Sequence, residues 1–277
     1  MNLVYGVLIV AGATAVAVTA MLLVRKSAPE GSYFSDGDRA SGVFGVLATG
    51  FSVLLGFIIF LAFTSYDQSR TGAETEALVV AQQVETAQLF PDPVATKMTG
   101  ALVCYARSVV HQEWPRMERG TQGDGINPWG VRIFKILEGL QPSTPSAQSA
   151  YDRSLELTST REEARRDRIH GAEGVIPTPL WIVLIVISWV IFVYMLFFAD
   201  SGERAKTQAL LMGSVTAVIS IMLLLPLFLN SPFGSGVGAL RPTAMERSLR
   251  IVDEGLGALG VSGQALRIPC DAGGRPL

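Results

Sequence analysis

The chain has 277 residues, of which 49% are hydrophobic and only 17% charged, and its mean hydropathy is +0.38. Soluble domains carry about 25% charge; here the deficit is concentrated in four apolar blocks, which points to a membrane protein with a sizeable polar part. A formal net charge of −2 offers no case for nucleic acid as a partner.

The first apolar block, Leu3 to Val24, ends at Arg25 and Lys26. It is long, and no positive charge precedes it as in a signal peptide, so it is expected to be a first membrane span. Residues 25–42, rich in Ser, Gly, Pro and Asp, are expected to be a loop. The stretch Val43 to Leu89 then predicts one continuous helix. Val43 to Tyr66 carries no charge and is long enough to span a hydrocarbon core with some tilt. Beyond it the helix becomes amphipathic, with Ala73, Ala77, Val80, Ala81, Val84 and Ala87 on one stripe.

Pro91-Asp92-Pro93 ends that helix. Asp92 is the expected N-cap and Pro93 the first helical position of a helix running to about Trp114. GTQGDGINPWG, residues 120–130, reads as a loop. Val131 to Leu140 follows as a short amphipathic helix, and Ser146 to about His170 as a long polar one. Leu180 to Ala199 and Leu210 to Leu229 are the third and fourth spans, joined by a short loop. Asn230 to Gly236 forms a turn. Thr243 to Leu259 is a last helix before a Gly-rich, mobile end.

The fold expected is thus all-α. Residues 1–65 supply the first two spans, 66–176 an extramembrane helical domain, 177–230 the last two spans and 231–277 a tail on that domain. The domain and both termini then share one side. The two short loops hold Arg25, Lys26, Arg39, Arg204 and Lys206, which favours a cytoplasmic location for the loops. The other side holds Arg70, Arg161, Arg165, Arg166, Arg168, Arg241, Arg247 and Arg250, and long segments weigh little, so the charge count is indecisive. Cys104 and Cys270 fall on the domain's side. They form neither a CxxC pair nor a metal-ligand spacing. A bridge between them is open only if that side is oxidising, and composition gives no reason to expect one.

No Asp, Glu, Lys, Arg or His lies inside the four spans. Ion-coupled carriers need such groups, so a passive pathway, or no transport, is the better fit. On the second span Gly45, Thr49, Ser52 and Gly56 form a stripe of small residues, with Thr49, Val53 and Phe57 recurring beside it. The stripe suits either close helix packing or the wall of a pore closed by a hydrophobic constriction. Arg161, Arg165, Arg166 and Arg168 read as a solvated face paired in part with Glu162, Glu163 and Asp167. Glu74, Glu76 and Glu85 read as helix-surface or subunit-contact charges rather than cation ligands. His111 beside Glu113 reads as a structural hydrogen-bond pair. No nucleophile–base motif or metal-binding loop is present, so neither an enzyme nor a cofactor is expected.

Val53-Leu54-Leu55-Gly56-Phe57 followed by Ser65-Tyr66-Asp67-Gln68 resembles the second membrane helix of bestrophins. With Glu74, Glu76, Tyr105, Val109, Val110, Glu113-Trp114 and the Ser231-Pro232-Phe233-Gly234 turn, the chain resembles more closely the bestrophin-like domain family of bacterial membrane proteins. Bestrophins are pentameric anion channels with four membrane helices per subunit, a cytoplasmic helical domain and a hydrophobic neck on the second helix. The resemblance implies a neck at Thr49, Val53 and Phe57; the small-residue stripe makes Gly45, Ser52 and Gly56 a candidate additional pore face. It implies a domain and termini in the cytoplasm and a place in the inner membrane. The acidic calcium clasp after the fourth helix is missing, so calcium gating is not expected. The expectation is a homo-oligomer, a pentamer by the resemblance, passing small anions such as chloride, with lipid as its other partner. Subunits would touch through Ala77, Val80, Ala81 and Val84. The alternative is a non-conducting membrane scaffold or sensor that binds a partner protein through the helical domain.

Overall fold

The computed structural model describes residues 3–121, 125–258 and 268–277. Helices dominate: α1 (Leu3–Arg25), α2 (Gly37–Ala87), α3 (Val94–Ser108), α4 (Trp114–Glu118), α5 (Pro128–Glu138), α6 (Pro145–His170), α7 (Thr178–Leu196), α8 (Ala205–Leu229) and α9 (Thr243–Ala258). Four of them, α1, α2, α7 and α8, are long and apolar enough to cross a membrane. The shortest, α7 with 19 residues, reaches about 28 Å at 1.5 Å per residue.

Several boundaries differ from expectation, each for a local reason. α2 begins at Gly37 rather than Val43, because Asp36 caps it: its Oδ1 accepts from Arg39 N at 3.0 Å. α5 and α6 begin at Pro128 and Pro145, capped by Asn127 and Thr144, whose side chains accept from Trp129 N and Ala147 N. Asp92 is not the cap of α3; Pro93 occupies that position, and Asp92 Oδ1 accepts from Thr96 Oγ1 instead. The helix after Pro93 is also not uniform. Between α3 and α4, Val109–Glu113 forms a π-helical turn. In the loop expected over residues 120–130, residues 122–124 lie outside the described ones, as does Leu259 at the expected end of α9.

The chain divides into two compact units. The membrane unit comprises residues 1–65, 175–230 and 235–237. Within it α1 packs along α8, with Ala17, Met21 and Met212 buried. A Cβ at Gly213 would stand 3.3 Å from Val18 Cγ2, so the close approach uses the absence of a side chain. The apolar half of α2 buries Phe51, Leu55, Ile58 and Ala62, spaced four, three and four apart, and Phe51, Leu55 and Ile58 meet Leu184 and Ile191 of α7. The two short connections are tied together. Arg25 Nη2 donates to Ser201 O at 2.9 Å and also to Glu203 O, and Tyr33 N donates to Phe197 O at 3.1 Å. Phe34 lies 5.2 Å from the Tyr194 ring and 4.9 Å from that of Phe198. At the other end of the spans, Asn230 Oδ1 accepts from Val175 N and Ile176 N at 2.7 and 2.9 Å, fixing the entry to α7.

The helical domain comprises residues 66–174, 231–234 and 238–277. α3 is its centre: every residue from Met98 to Ala106 is buried. The polar half of α2, α5 and α9 pack around it. Gly72 allows the closest approach. A Cβ there would stand 2.5 Å from Arg168 N and 2.7 Å from Ala164 O on α6. The expectation of a mobile end is corrected for residues 268–277. Asp271 N donates to Arg275 O and Leu277 N to Pro269 O, forming a small hairpin. Trp129 Nε1 and Gln112 Nε2 hold its Gly274 and Gly273 carbonyls at 2.7 and 2.8 Å. Gly274, at φ +77°, sits against Ser108, where a Cβ would be 2.4 Å from the backbone nitrogen. Cys104 of α3 is disulfide-bonded to Cys270 of the hairpin, a pairing that composition gave no reason to expect.

Candidate functional site

The expected pore face of α2 has a definite place in the membrane unit. Gly45, Thr49, Ser52, Val53, Gly56 and Phe57 are all exposed, Val53 by 70% and Phe57 by 59%. They lie on the face turned away from Phe51, Leu55 and Ile58. A Cβ added at Gly45 or Gly56 would meet nothing within 4 Å. The small residues therefore serve no helix packing within the chain. Ser52 returns its hydroxyl proton to Ala48 O at 2.8 Å, so the stripe offers little free hydrogen-bonding capacity. Chemically, this face is an apolar strip with shallow notches and no charge.

The polar stripe of α2 is used differently. Ala77, Val80 and Val84 are buried in the helical domain's own core, with Ala81 packed against it. Val80 and Val84 face Leu102, Val103, Ala106 and Val252. As a subunit contact this stripe is corrected: side chains enclosed by their own chain present no surface to a neighbour.

The arginines of α6 are the larger correction. Arg161 and Arg168 are completely buried, and Arg165 is only partly exposed. Arg168 donates from Nε and Nη2 to Glu76 and from Nη2 to Glu113 Oε2 at 2.6 Å. Glu113 Oε1 also accepts from Arg165 Nη2 at 3.0 Å and Asn127 Nδ2 at 2.9 Å. Glu76 Oε1 accepts from Tyr105 OH at 2.6 Å. Two carboxylates thus face two guanidinium groups, and Tyr105 and Asn127 donate to them as well; such added hydrogen bonds are the condition for a buried ionic cluster to be tolerated. Glu76 is consequently a core residue rather than a surface charge. Glu113 pairs with arginines and not with His111, which is exposed. The π-helical turn just before Trp114 carries Glu113 into this cluster.

Aromatic faces complete the setting. Arg161 lies over the Tyr105 ring at 4.7 Å and Arg168 over Trp114 at 5.8 Å. Trp114 in turn meets Phe233 edge-on at 5.4 Å. Burial pushes the Glu113 carboxyl up, but Arg168 and Arg165 overturn that and hold it at about 2. Burial works against the charge on Arg168, yet Glu76 and Glu113 raise its pKa above the usual arginine range. Burial raises the Tyr105 phenol well above its ordinary value, with Glu76 adding to the shift, so it stays a neutral donor.

Beside the cluster a cleft of about 330 Å³ is lined by Phe134, Arg161, Glu162 and Arg165 among others. Its arginines already hold partners: Arg161 donates to Gln83 and Glu162, and Arg165 to Glu113 and Gly125 O. Among the described residues no three His, Cys, Asp or Glu side chains group as metal ligands.

Some of the residues that carried the family resemblance meet here. Glu76, Tyr105, Glu113, Trp114 and Phe233 form one connected set around Arg168, which the resemblance did not include. No curated protein matches the chain. Solved structures do. One variant of a bacterial bestrophin homologue from Klebsiella pneumoniae is 14% identical with a TM-score of 0.66, covering 88% of this chain and 98% of that one. A second is 14% identical, TM-score 0.66, covering 92% and 98%. A third is 13% identical, TM-score 0.63, covering 91% and 99%. At these identities the likeness is one of fold. A family model described as the Bestrophin-like domain matches residues 10–245. The chain belongs to the Bestrophin-like domain family.

Proposed function

We propose that the chain is one subunit of a homo-oligomeric channel of the inner membrane that passes small anions, chloride among them, along a pore lined by α2. The observation that carries this reading is the unpacked face of α2. Thr49, Val53 and Phe57 run along it without a charge, while the opposite face is committed to α7. A ring of such helices, five by family resemblance, would set Val53 and Phe57 as a hydrophobic constriction that conducts when wetted. Gly45, Ser52 and Gly56 would widen the path beside it. The absence of ionisable groups from the span suits passive flow rather than coupled transport. We propose no catalytic role.

The test is chloride flux into liposomes holding the purified chain. Flux is expected, and Phe57→Ala should raise it by removing the largest side chain of the constriction. Silent vesicles across pH and voltage, with correctly folded protein, would overturn the reading.

A further inference from the structure

We propose that the helical domain lies on the non-cytoplasmic, oxidising face of the membrane, where a Cys104–Cys270 disulfide pins the terminal hairpin to α3. Two independent observations carry this. The first is the pairing itself. The only two cysteines of the chain are 166 residues apart, yet they meet with Cα atoms 5.8 Å apart and both side chains buried. Structural disulfides between buried partners persist in oxidising compartments and are rare where thiols are kept reduced.

The second is charge on the opposite side. Four alternating spans place both short connections on the face away from the domain. In the membrane unit these connections are hydrogen-bonded to one another, through Arg25 to Ser201 and Tyr33 to Phe197. They and the adjoining helix ends carry Arg25, Lys26, Arg39, Arg204 and Lys206. Short, basic connections stay in the cytoplasm. The arginines that balance this count belong to the long segment 66–174 and to the tail, and long segments cross largely regardless of charge. The cytoplasmic domain implied by family resemblance is thereby reversed. None of this depends on whether α2 conducts.

The experiment adds one exposed cysteine at a time to the full chain, leaving the native pair intact. Ser146→Cys at the start of α6 reports the domain, and Ser35→Cys reports the short connections; both positions are exposed. Right-side-out spheroplasts of an expressing bacterium are treated with a membrane-impermeant maleimide. Labelling of S146C in intact spheroplasts, with S35C labelled only after lysis, is expected; the reverse pattern overturns the proposal. The unaltered chain, denatured and treated with a polyethylene-glycol maleimide, should show no gel shift without reductant and a shift of two adducts with it. Two adducts without reductant would overturn it equally.

Discussion

The two units of this protein solve the problem of burial in opposite ways. In the membrane unit the spans are sparsely packed on each other: only 22% of the most apolar window of α2 is buried, and 11% of that of α1 and α7. Large residues such as Val46, Val53, Phe57 and Phe60 stand free. In the helical domain even charged side chains are enclosed, Glu76 and Arg168 completely. The difference teaches what each unit needs. The domain pairs its buried charges and fills its core from within. The membrane unit leaves its apolar faces exposed, which costs it nothing in hydrocarbon. Conservative changes should therefore be felt in the domain as stability and in the spans as assembly or conduction.

The largest effect expected is at Arg168. Arg168→Leu would leave Glu76 and Glu113 buried without their shared cation, a loss of about 3–5 kcal/mol, read as a lowered unfolding midpoint in detergent. An unchanged midpoint would mean the cluster is not enclosed as described.

Acid is the next lever. Glu113 is held at about 2 against an ordinary 4.5, so the unfolded chain binds the proton more readily. Its stabilisation is complete above about pH 4.5 and is lost as pH falls towards 2, roughly 3 kcal/mol in all. Glu113→Gln should flatten that part of the stability profile, measured by denaturation at stepped pH.

A smaller effect compares two glycines on one helix. Gly72→Ala pushes a methyl into the α6 backbone and should cost about 1–3 kcal/mol. Gly56→Ala meets nothing in the chain and should leave the unfolding midpoint within about 0.5 kcal/mol of the parent, while altering flux if α2 lines a pore. Equal effects at the two sites would erase the contrast between the units.

The spans and the long α2 were legible in the sequence because hydropathy over twenty residues is a local property. The enclosed charges were not, because an apolar periodicity passes over arginine. Yet Ala150, Ser154, Leu157, Arg161, Ala164 and Arg168 recur every three or four residues and are the buried face of α6. Counting small and charged residues on that stripe alike would have exposed it. Likewise Glu76 falls between Ala73, Ala77 and Val80 on the inward side of α2. What no local pattern supplies is the partner: Glu76 and Arg168 are 92 residues apart. The same holds for Cys104 and Cys270. The stripe of Ala77, Val80, Ala81 and Val84 was visible as a packing face, but periodicity alone does not say whether the other half is the same chain or another copy.

The central claim is that the free face of α2 belongs to a shared axis. An image of the purified, detergent-solubilised particle at a resolution that separates helices tests it most directly. The account predicts a ring of subunits with Thr49, Val53 and Phe57 of each α2 turned to the centre. Monomers, or a compact dimer with that edge turned to detergent, would contradict it.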